Sequence, residues 1–164
     1  MMWGRVKRNL AALLSVWAVM GIGVACADPR LPMCFFEASE RYQIAPELLV
    51  AIGLAESRLK MSARNGNANG SRDICAMQVN SWWLGKLEEY GITEAHLAHD
   101  PCSCVNSGAW ILAQEIHRHG PTWRAVGFYN STRPEIQKRY AARVKTALPE
   151  ASKLVEEWKT RHYE

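Results

Sequence analysis

The sequence predicts a single, mainly α-helical domain with one short irregular segment, and three observations support this fold class. Apolar residues recur at helical spacing in several stretches that are separated by short breaks. Residues 65–73 are rich in Asn, Gly and Ser, which cannot continue a helix and leave room for a small hairpin at most. The chain has 164 residues, which is enough for one domain with a buried core and too few for two.

The first half of the chain is expected to contain three helices. A short amphipathic helix is predicted over 35–42. Pro46 suits the first turn of a second helix, whose apolar residues continue at helical spacing to Leu59. After the polar segment, Ser81 is in position to cap a third helix that ends near Gly91.

The second half of the chain is expected to be helical almost throughout. The longest clear helix covers 105–119 and is closed by Gly120. A shorter helix over 123–129 follows it, and the next runs from a proline at position 134 to about position 148. A second proline then begins a final charged helix, so that residues 149–164 form a charged C-terminal helical extension.

Residues 1–27 have the pattern of a cleavable secretory signal. Three basic residues precede an almost wholly apolar run over 10–24, and residues 25–27 supply the small side chains that a signal peptidase requires. The apolar run is short for a membrane anchor. Lipidation at Cys26 is a less favoured alternative, because Gly23 lies where lipoprotein signals usually have leucine. We therefore expect export to the periplasm, with residues 28–148 as the main domain.

The charge of the exported chain argues against nucleic acid as a partner. The whole chain carries 20 Lys and Arg against 16 Asp and Glu. Three of those basic residues lie in the predicted signal, so the exported part has a net charge of about +1. Nothing concentrates basic residues on one face, as a nucleic-acid binder requires.

Four cysteines remain after export, at positions 34, 75, 102 and 104. An even number in an oxidising compartment indicates two disulfides, and the count alone permits three pairings. A direct bridge between Cys102 and Cys104 would be strained, which favours a different partner for each. No histidine stands at zinc-finger spacing from this pair, and His117 and His119 do not share a helix face. We expect neither a metal nor a cofactor.

Glu56 is the residue with the chemistry of a catalytic acid. It lies late in the second predicted helix, on the border of the apolar face. Desolvation and the negative end of the helix dipole both raise the pKa of a carboxyl group there. Cleavage of a glycosidic bond requires a carboxylic acid that stays protonated near neutral pH. Position alone, however, fits an ordinary surface or capping carboxylate.

Four sequence blocks occur in a fixed order around this residue. They are Glu56-Ser57, Asp73-x-x-x-Met77-Gln78-Val79-Asn80, Tyr129-Asn130 and Tyr140-x-x-x-Val144. Together they resemble the soluble lytic transglycosylase family, which has a goose-type lysozyme-like fold. Residues 100–102 and 108–112 resemble its small subgroup associated with conjugation and specialised secretion systems. The resemblance implies one lysozyme-like α-helical domain with a short irregular or hairpin insertion after the catalytic helix.

The resemblance implies a role for each block in cleaving peptidoglycan glycan strands. Glu56 would protonate the oxygen between N-acetylmuramic acid and N-acetylglucosamine, and would then take the proton of the muramoyl 6-hydroxyl as it closes a 1,6-anhydro ring. Gln78 would hydrogen-bond a sugar with Met77 packed beneath it, and Tyr140 would orient or shield the acid. The implied substrate-binding residues are Ser57, Met77, Gln78, Asn80, Tyr129, Asn130 and Tyr140.

Two alternatives to this enzyme stay open. A muramidase that uses water would need a second carboxylate, and Asp73 is the candidate, although its short side chain is expected mainly to bond local backbone. A peptidoglycan-binding assembly factor without activity is the other, because Cys75 and Thr132 stand where the family has glycine. In each case the partners would be glycan strands and components of a secretion or conjugative-transfer apparatus.

The resemblance also implies the disulfide pairing. Related chains of the subgroup have cysteines like Cys34 and Cys102, which would join the first helix to the turn before the long helix. Cys75 and Cys104 both depart from that pattern, which suggests that they pair with each other. The alternative is that Cys75 is a buried free thiol.

Overall fold

The computed structural model describes residues 28–163, so the predicted signal over 1–27, including Cys26, lies outside the described residues. The described chain forms seven α-helices and one small antiparallel sheet. In chain order the elements are α1 (Leu31–Tyr42), α2 (Pro46–Ser57), β1 (Arg64–Gly66), β2 (Arg72–Ile74), β3 (Val79–Asn80), a 3-10 turn (Ser81–Trp83), α3 (Leu84–Glu88), α4 (Glu94–His99), α5 (Pro101–His119), α6 (Trp123–Asn130) and α7 (Pro134–Tyr163).

Helix α2 is the centre of the core. Its six consecutive residues 49–54 are all buried. Helix α7 packs along it, α1 packs on α5, and α6 lies between α5 and α7. A helix that is apolar on all sides is stable only when other elements enclose it, and this enclosure brings the chain segments that follow α2 against α5, α6 and α7. No helix among residues 28–163 is long and apolar enough to span a bilayer.

The polar segment after α2 forms the small sheet, with strand order β1-β2-β3. Arg64 pairs with Ile74 in the first hairpin, and Asp73 pairs with Asn80 in the second. Gly70, at φ +81°, helps to close the first hairpin. The predicted hairpin insertion is therefore present, and β3 extends it by a third strand.

The predicted helix break at Pro149 is wrong, because α7 runs without interruption for 30 residues. Proline already has a helical φ, so its main cost inside a helix is one lost hydrogen bond and a steric conflict. Burial of the turns beyond it offsets that cost: Ala151, Val155 and Trp158 are buried in the same core. The Trp158 ring stacks on Phe35 of α1 at a centroid distance of 5.9 Å. The C-terminal segment is charged on one side only.

Two predictions about helix starts also need correction, and one helix was not predicted. Asn80, not Ser81, caps the segment that contains the two adjacent tryptophans, because its side chain accepts a hydrogen bond from the Trp82 backbone at 2.9 Å. Helix α5 begins four residues earlier than expected, with the Asp100 side chain as its cap. Helix α4 was not predicted, although Thr93 is a regular N-cap residue whose side chain accepts from the third residue of that helix.

Both disulfides of the predicted pairing are present in the structure. Cys34 of α1 bridges to Cys102 at the start of α5, with Cα atoms 4.7 Å apart. Cys75, directly after β2, bridges to Cys104, two residues further along α5, with Cα atoms 6.2 Å apart. The first turns of α5 are thereby fastened to α1 and to the sheet.

Candidate active site

Glu56 lies in the last turn of α2, where the chain leaves the core. Arg58 and Leu59 follow with positive φ angles of 58° and 62°, and their backbone N–H groups bond to the carbonyls of Leu54 and Gly53 at 3.1 and 3.2 Å. This left-handed ending satisfies the last carbonyls of the helix. It also turns the chain directly into β1, so that the sheet forms beside the half-buried Glu56.

The surroundings of Glu56 raise the pKa of its carboxyl group. Burial is the largest cause, and the negative charge of Asp73 acts in the same direction. The Tyr140 hydroxyl and the positive charge of Arg143 oppose them by favouring the carboxylate. The raised pKa is what the sequence predicts for a proton donor, and two neighbours are already in place to stabilise the charge that proton transfer leaves.

Tyr140 reaches Glu56 from α7, one turn before Arg143. Only 2% of its surface is exposed, and its hydroxyl faces the Glu56 carboxyl without making a hydrogen bond of regular geometry. Burial and the negative charge of Glu56 raise the pKa of Tyr140 well above its usual value. The Arg143 guanidinium lies 5.0 Å from the centre of the Tyr140 ring, a cation–π contact that keeps its charge near the acid.

Tyr129 connects α6 to the turn between β2 and β3. Its ring stacks on Tyr140 at 6.2 Å, and its hydroxyl donates a 2.8 Å hydrogen bond to the Met77 carbonyl. Gly108 of α5 allows this approach, because a Cβ atom there would lie 2.9 Å from both the Tyr129 hydroxyl and the Met77 side chain. Burial raises the pKa of Tyr129 well above its usual value, and the hydroxyl acts as a donor.

The turn over 75–78 takes the conformation that glycine would favour. Cys75 and Gln78 have positive φ angles of 65° and 48°. The Gln78 backbone and side-chain amide both donate to the Cys75 carbonyl, at 3.1 and 2.9 Å. Cys75 therefore keeps a left-handed backbone at the position where the resemblance implies glycine, and the disulfide holds the strained residue. Ser57 fastens this turn to α2, because its hydroxyl donates to the Ala76 carbonyl at 2.7 Å.

Asp73 is held by side-chain amides, where backbone bonds were expected. Its carboxylate accepts hydrogen bonds from Asn65, Asn67 and Asn80, at 3.1, 3.1 and 2.7 Å. Asn80 also bonds to the Ser71 hydroxyl and caps the 3-10 turn. The Asn80 amide therefore organises the loop, although it was predicted to contact substrate.

The structure brings together most of the residues that the sequence singles out. Glu56, Ser57, Met77, Gln78, Tyr129 and Tyr140 are linked by the contacts above. Asn130 lies exposed at the end of α6. Arg143 was missed, and its only signal in the sequence is its position three residues after Tyr140, on the same side of a helix.

Two other features bear on what the site can hold. Among residues 28–163, no group of three or more His, Cys, Asp or Glu side chains is arranged to bind a metal ion. A cavity of about 420 Å³ lies between α6 and α7, with Trp123, Lys138 and Lys145 in its lining. None of the residues predicted for the cleft lines it, so it is separate from the surroundings of Glu56.

A helical domain with an acid at the end of its central helix, facing a small sheet, is the architecture of lysozyme-like proteins. The sequence model of the family described as the transglycosylase SLT domain matches residues 33–148, and the chain belongs to this family. The chain is 38% identical over 136 residues to invasion protein IagB of Salmonella typhimurium strain SL1344, covering 80% of this chain and 81% of the relative. Protein IpgF of Shigella flexneri is 41% identical over 116 residues, covering 69% of this chain and 76% of the relative.

Proposed function

We propose that this protein is a periplasmic lytic transglycosylase that cleaves the β-1,4 bond between N-acetylmuramic acid and N-acetylglucosamine and leaves a 1,6-anhydro end. Membership of the transglycosylase SLT family supports peptidoglycan as the substrate. The observation that carries the proposal is the environment of Glu56, whose burial raises the pKa of its carboxyl group while Tyr140 and Arg143 stand ready to stabilise the carboxylate.

One carboxyl group suffices for both steps of this reaction. Protonated Glu56 donates its proton to the glycosidic oxygen, the bond to the anomeric carbon breaks, and N-acetylglucosamine leaves as the alcohol. The Glu56 carboxylate then accepts the proton of the muramoyl 6-hydroxyl, whose oxygen bonds to the anomeric carbon and closes the anhydro ring. The acid is restored in the second step, and no water is consumed.

We propose that the groups around Glu56 hold the glycan strand. Gln78 is held by two bonds to the Cys75 carbonyl, one from its backbone N–H and one from its side-chain amide, and this fixed position supports a role in bonding a sugar. Met77 is fully buried behind it and provides a rigid base. Ser57 acts from the end of α2, and Tyr129 and Asn130 would line the cleft. Asn80 contributes through the loop that it holds together.

We also propose that residues 1–27 direct export and that the protein opens the wall for a secretion or conjugation apparatus. A relative named as an invasion protein supports an association with a secretion system. Residues 28–163 would then act in the periplasm as a single unit, because the C-terminal helical segment shares the core of the matched domain.

A muramidase that uses water is the second candidate, and one observation favours it. The charge of Asp73 acts on Glu56, so a second carboxyl group lies near the first, and glycosidases that use water require such a pair. The conformation of Cys75 argues against an inactive binding protein, because its positive φ keeps the left-handed backbone that glycine would adopt in this turn.

Mass spectrometry of the muropeptides released from purified sacculi separates these candidates. We expect anhydro-muropeptides from the wild type, and a fall in their release on the order of 100-fold or more for Glu56→Gln, because the proton donor is lost. Glu40→Gln, on the exposed side of α1, is the matched control and should digest normally. Products with reducing ends would favour the muramidase, whereas binding of sacculi without any release would favour the inactive factor.

A further inference from the structure

Four aromatic side chains form a cluster beside the sheet that the chemistry at Glu56 does not use. The Trp82 ring contacts Trp83 at 4.8 Å, Trp83 contacts Trp110 at 5.4 Å, and Tyr90 contacts Trp110 at 6.3 Å. Trp83 and Trp110 are partly buried and pack on the core. Trp82 is 76% exposed, so most of its indole ring is open to solvent. An exposed ring supported by buried rings is typical of a binding surface.

Hydrogen bonds made by Trp82 and by the preceding residue fix the backbone of this turn against the sheet. Its N–H donates to the Asn80 side chain at 2.9 Å, and the preceding Ser81 hydroxyl accepts from the Arg72 backbone at 3.0 Å. The ring therefore stands on a rigid support, which lowers the entropy that a ligand must overcome on binding.

The same hydrogen bonds place Trp82 next to the candidate cleft. Asn80, which caps the turn that carries Trp82, pairs with Asp73 across the sheet and donates to its carboxylate at 2.7 Å. Asp73 in turn acts electrostatically on Glu56. The Asn80–Asp73 pair therefore joins the turn that carries Trp82 to the part of the sheet beside Glu56.

The charges next to the cluster favour an uncharged ligand. Arg72 pairs with Glu94 at 2.6 Å, and Lys86 pairs with Glu89 at 2.7 Å, so that these cations are already matched. N-acetylglucosamine has no charge, whereas N-acetylmuramic acid carries a lactyl group and usually a peptide. The C–H groups on one side of a pyranose ring pack well against the electron-rich face of an indole.

We propose that Trp82 is the stacking platform of an additional subsite that takes an N-acetylglucosamine ring of a strand bound at Glu56. This inference rests on the proposed function for the identity of the strand. A protein partner or a second copy of the chain would instead cover the same ring without requiring it for sugar binding, so sugar affinity and self-association distinguish these occupants.

Binding of N-acetylglucosamine oligomers to the purified Glu56→Gln variant tests the proposal without turnover. In calorimetric titrations with chitohexaose, adding Trp82→Ala should weaken Kd by roughly three- to tenfold, the usual worth of one aromatic contact. Trp82→Tyr should keep most of the affinity, because it keeps a ring. Trp123→Ala, an exposed ring on α6 outside this cluster, is the matched control and should leave Kd unchanged.

Two further measurements keep the proposal falsifiable. Loss of Trp82 should weaken chitobiose binding less than chitohexaose binding, because the shorter oligomer gains less from an additional subsite. Unchanged chitohexaose affinity on loss of Trp82 would overturn the subsite. A change in self-association without any change in sugar binding would also overturn it and would indicate a surface between copies. If wild type releases no muropeptides while chitohexaose binding still depends on Trp82, the subsite stands and the proposed function fails.

Discussion

At the scale of single residues, Glu56 is governed by opposing neighbours. Burial and Asp73 favour its protonated form, while Tyr140 and Arg143 favour the carboxylate. A residue that is acid in one step and base in the next needs both forms within reach near the working pH. Arg143 influences the reaction through its charge near Glu56, so we regard it as a positioning residue.

We expect Arg143→Ala to move the alkaline limb of the pH profile of kcat/KM to higher pH. Loss of the guanidinium removes an influence that lowers the pKa of Glu56, so the acid stays protonated further up the pH scale. Arg139→Ala removes an arginine from an exposed position on the same helix and should leave the limb unmoved. Equal shifts in both variants would assign the effect to net charge instead.

The difference in stability between wild type and the Glu56→Gln variant should change with pH in a predictable direction. The folded protein holds the pKa of Glu56 above its usual value of 4.5, so it binds the proton more tightly than the unfolded chain does. Wild-type stability is therefore lost as pH rises from the unfolded pKa through the folded pKa, and the variant escapes this loss. Urea unfolding across that range should show the variant gaining on wild type. A difference that stays flat with pH would contradict the raised pKa.

At the scale of elements, contacts with α5 and α6 fix the conformation of the turn over 75–78. One end is fastened to α5 by the Cys75–Cys104 disulfide, and the other receives the hydroxyl of Tyr129 through the Met77 carbonyl. Local preference alone would not place Cys75 at φ +65°. The tertiary contacts impose that angle, three residues before Gln78, for which we propose a role in bonding a sugar.

Replacing this disulfide by alanine and by glycine should separate the crosslink from the backbone strain. Cys75→Ala with Cys104→Ala should lower the free energy of unfolding by about 3–4 kcal/mol, the loop-entropy value for a closed loop of this size. Cys75→Gly with Cys104→Ala should recover about 1 kcal/mol, because glycine accepts a positive φ without strain. Denaturant titrations measure both. Equal stability of the two pairs would mean that the turn relaxes once the bridge is gone.

At the scale of the whole molecule, α7 joins the candidate site to the far end of the core. Tyr140 and Arg143 near its start act on Glu56, and Trp158 near its end stacks on Phe35. The segment beyond Pro149 lies outside the matched family range and was expected to be an extension. It packs instead against α1 and α2, so a deletion from 149 onward would uncover the core and lower the stability of the domain.

A single substitution tests this role of the C-terminal turns. Trp158→Ala should lower the free energy of unfolding by about 3–5 kcal/mol, because the ring is 8% exposed and its loss leaves a large cavity. Lys153→Ala, on the exposed side of the same stretch, should change stability by no more than about 0.5 kcal/mol. A small effect at Trp158, similar to that at Lys153, would show that the segment is an independent appendage.

The helical class and the polar insertion after the second helix can be read from the residue pattern, and the order of the four blocks points to Glu56 as the candidate acid. Periodicity, turn-forming residues and the order of four short blocks are local or one-dimensional properties, and a reader of the chain has all of them. The pairing of Cys34 with Cys102 and of Cys75 with Cys104 also followed, although only through the resemblance to relatives.

The identity of the neighbours that act on the acid, and the continuation of α7 beyond Pro149, depend on the tertiary structure. The charge of Arg143 acts on Glu56 because α7 packs along α2. The Asn80 side chain bonds to Asp73 because the two residues pair across the sheet. Pro149 remains inside a helix because the turns beyond it are buried against α1 and α2. Each outcome depends on contacts that form only when the elements pack together, and the energies of those contacts exceed the local preferences that a sequence reveals.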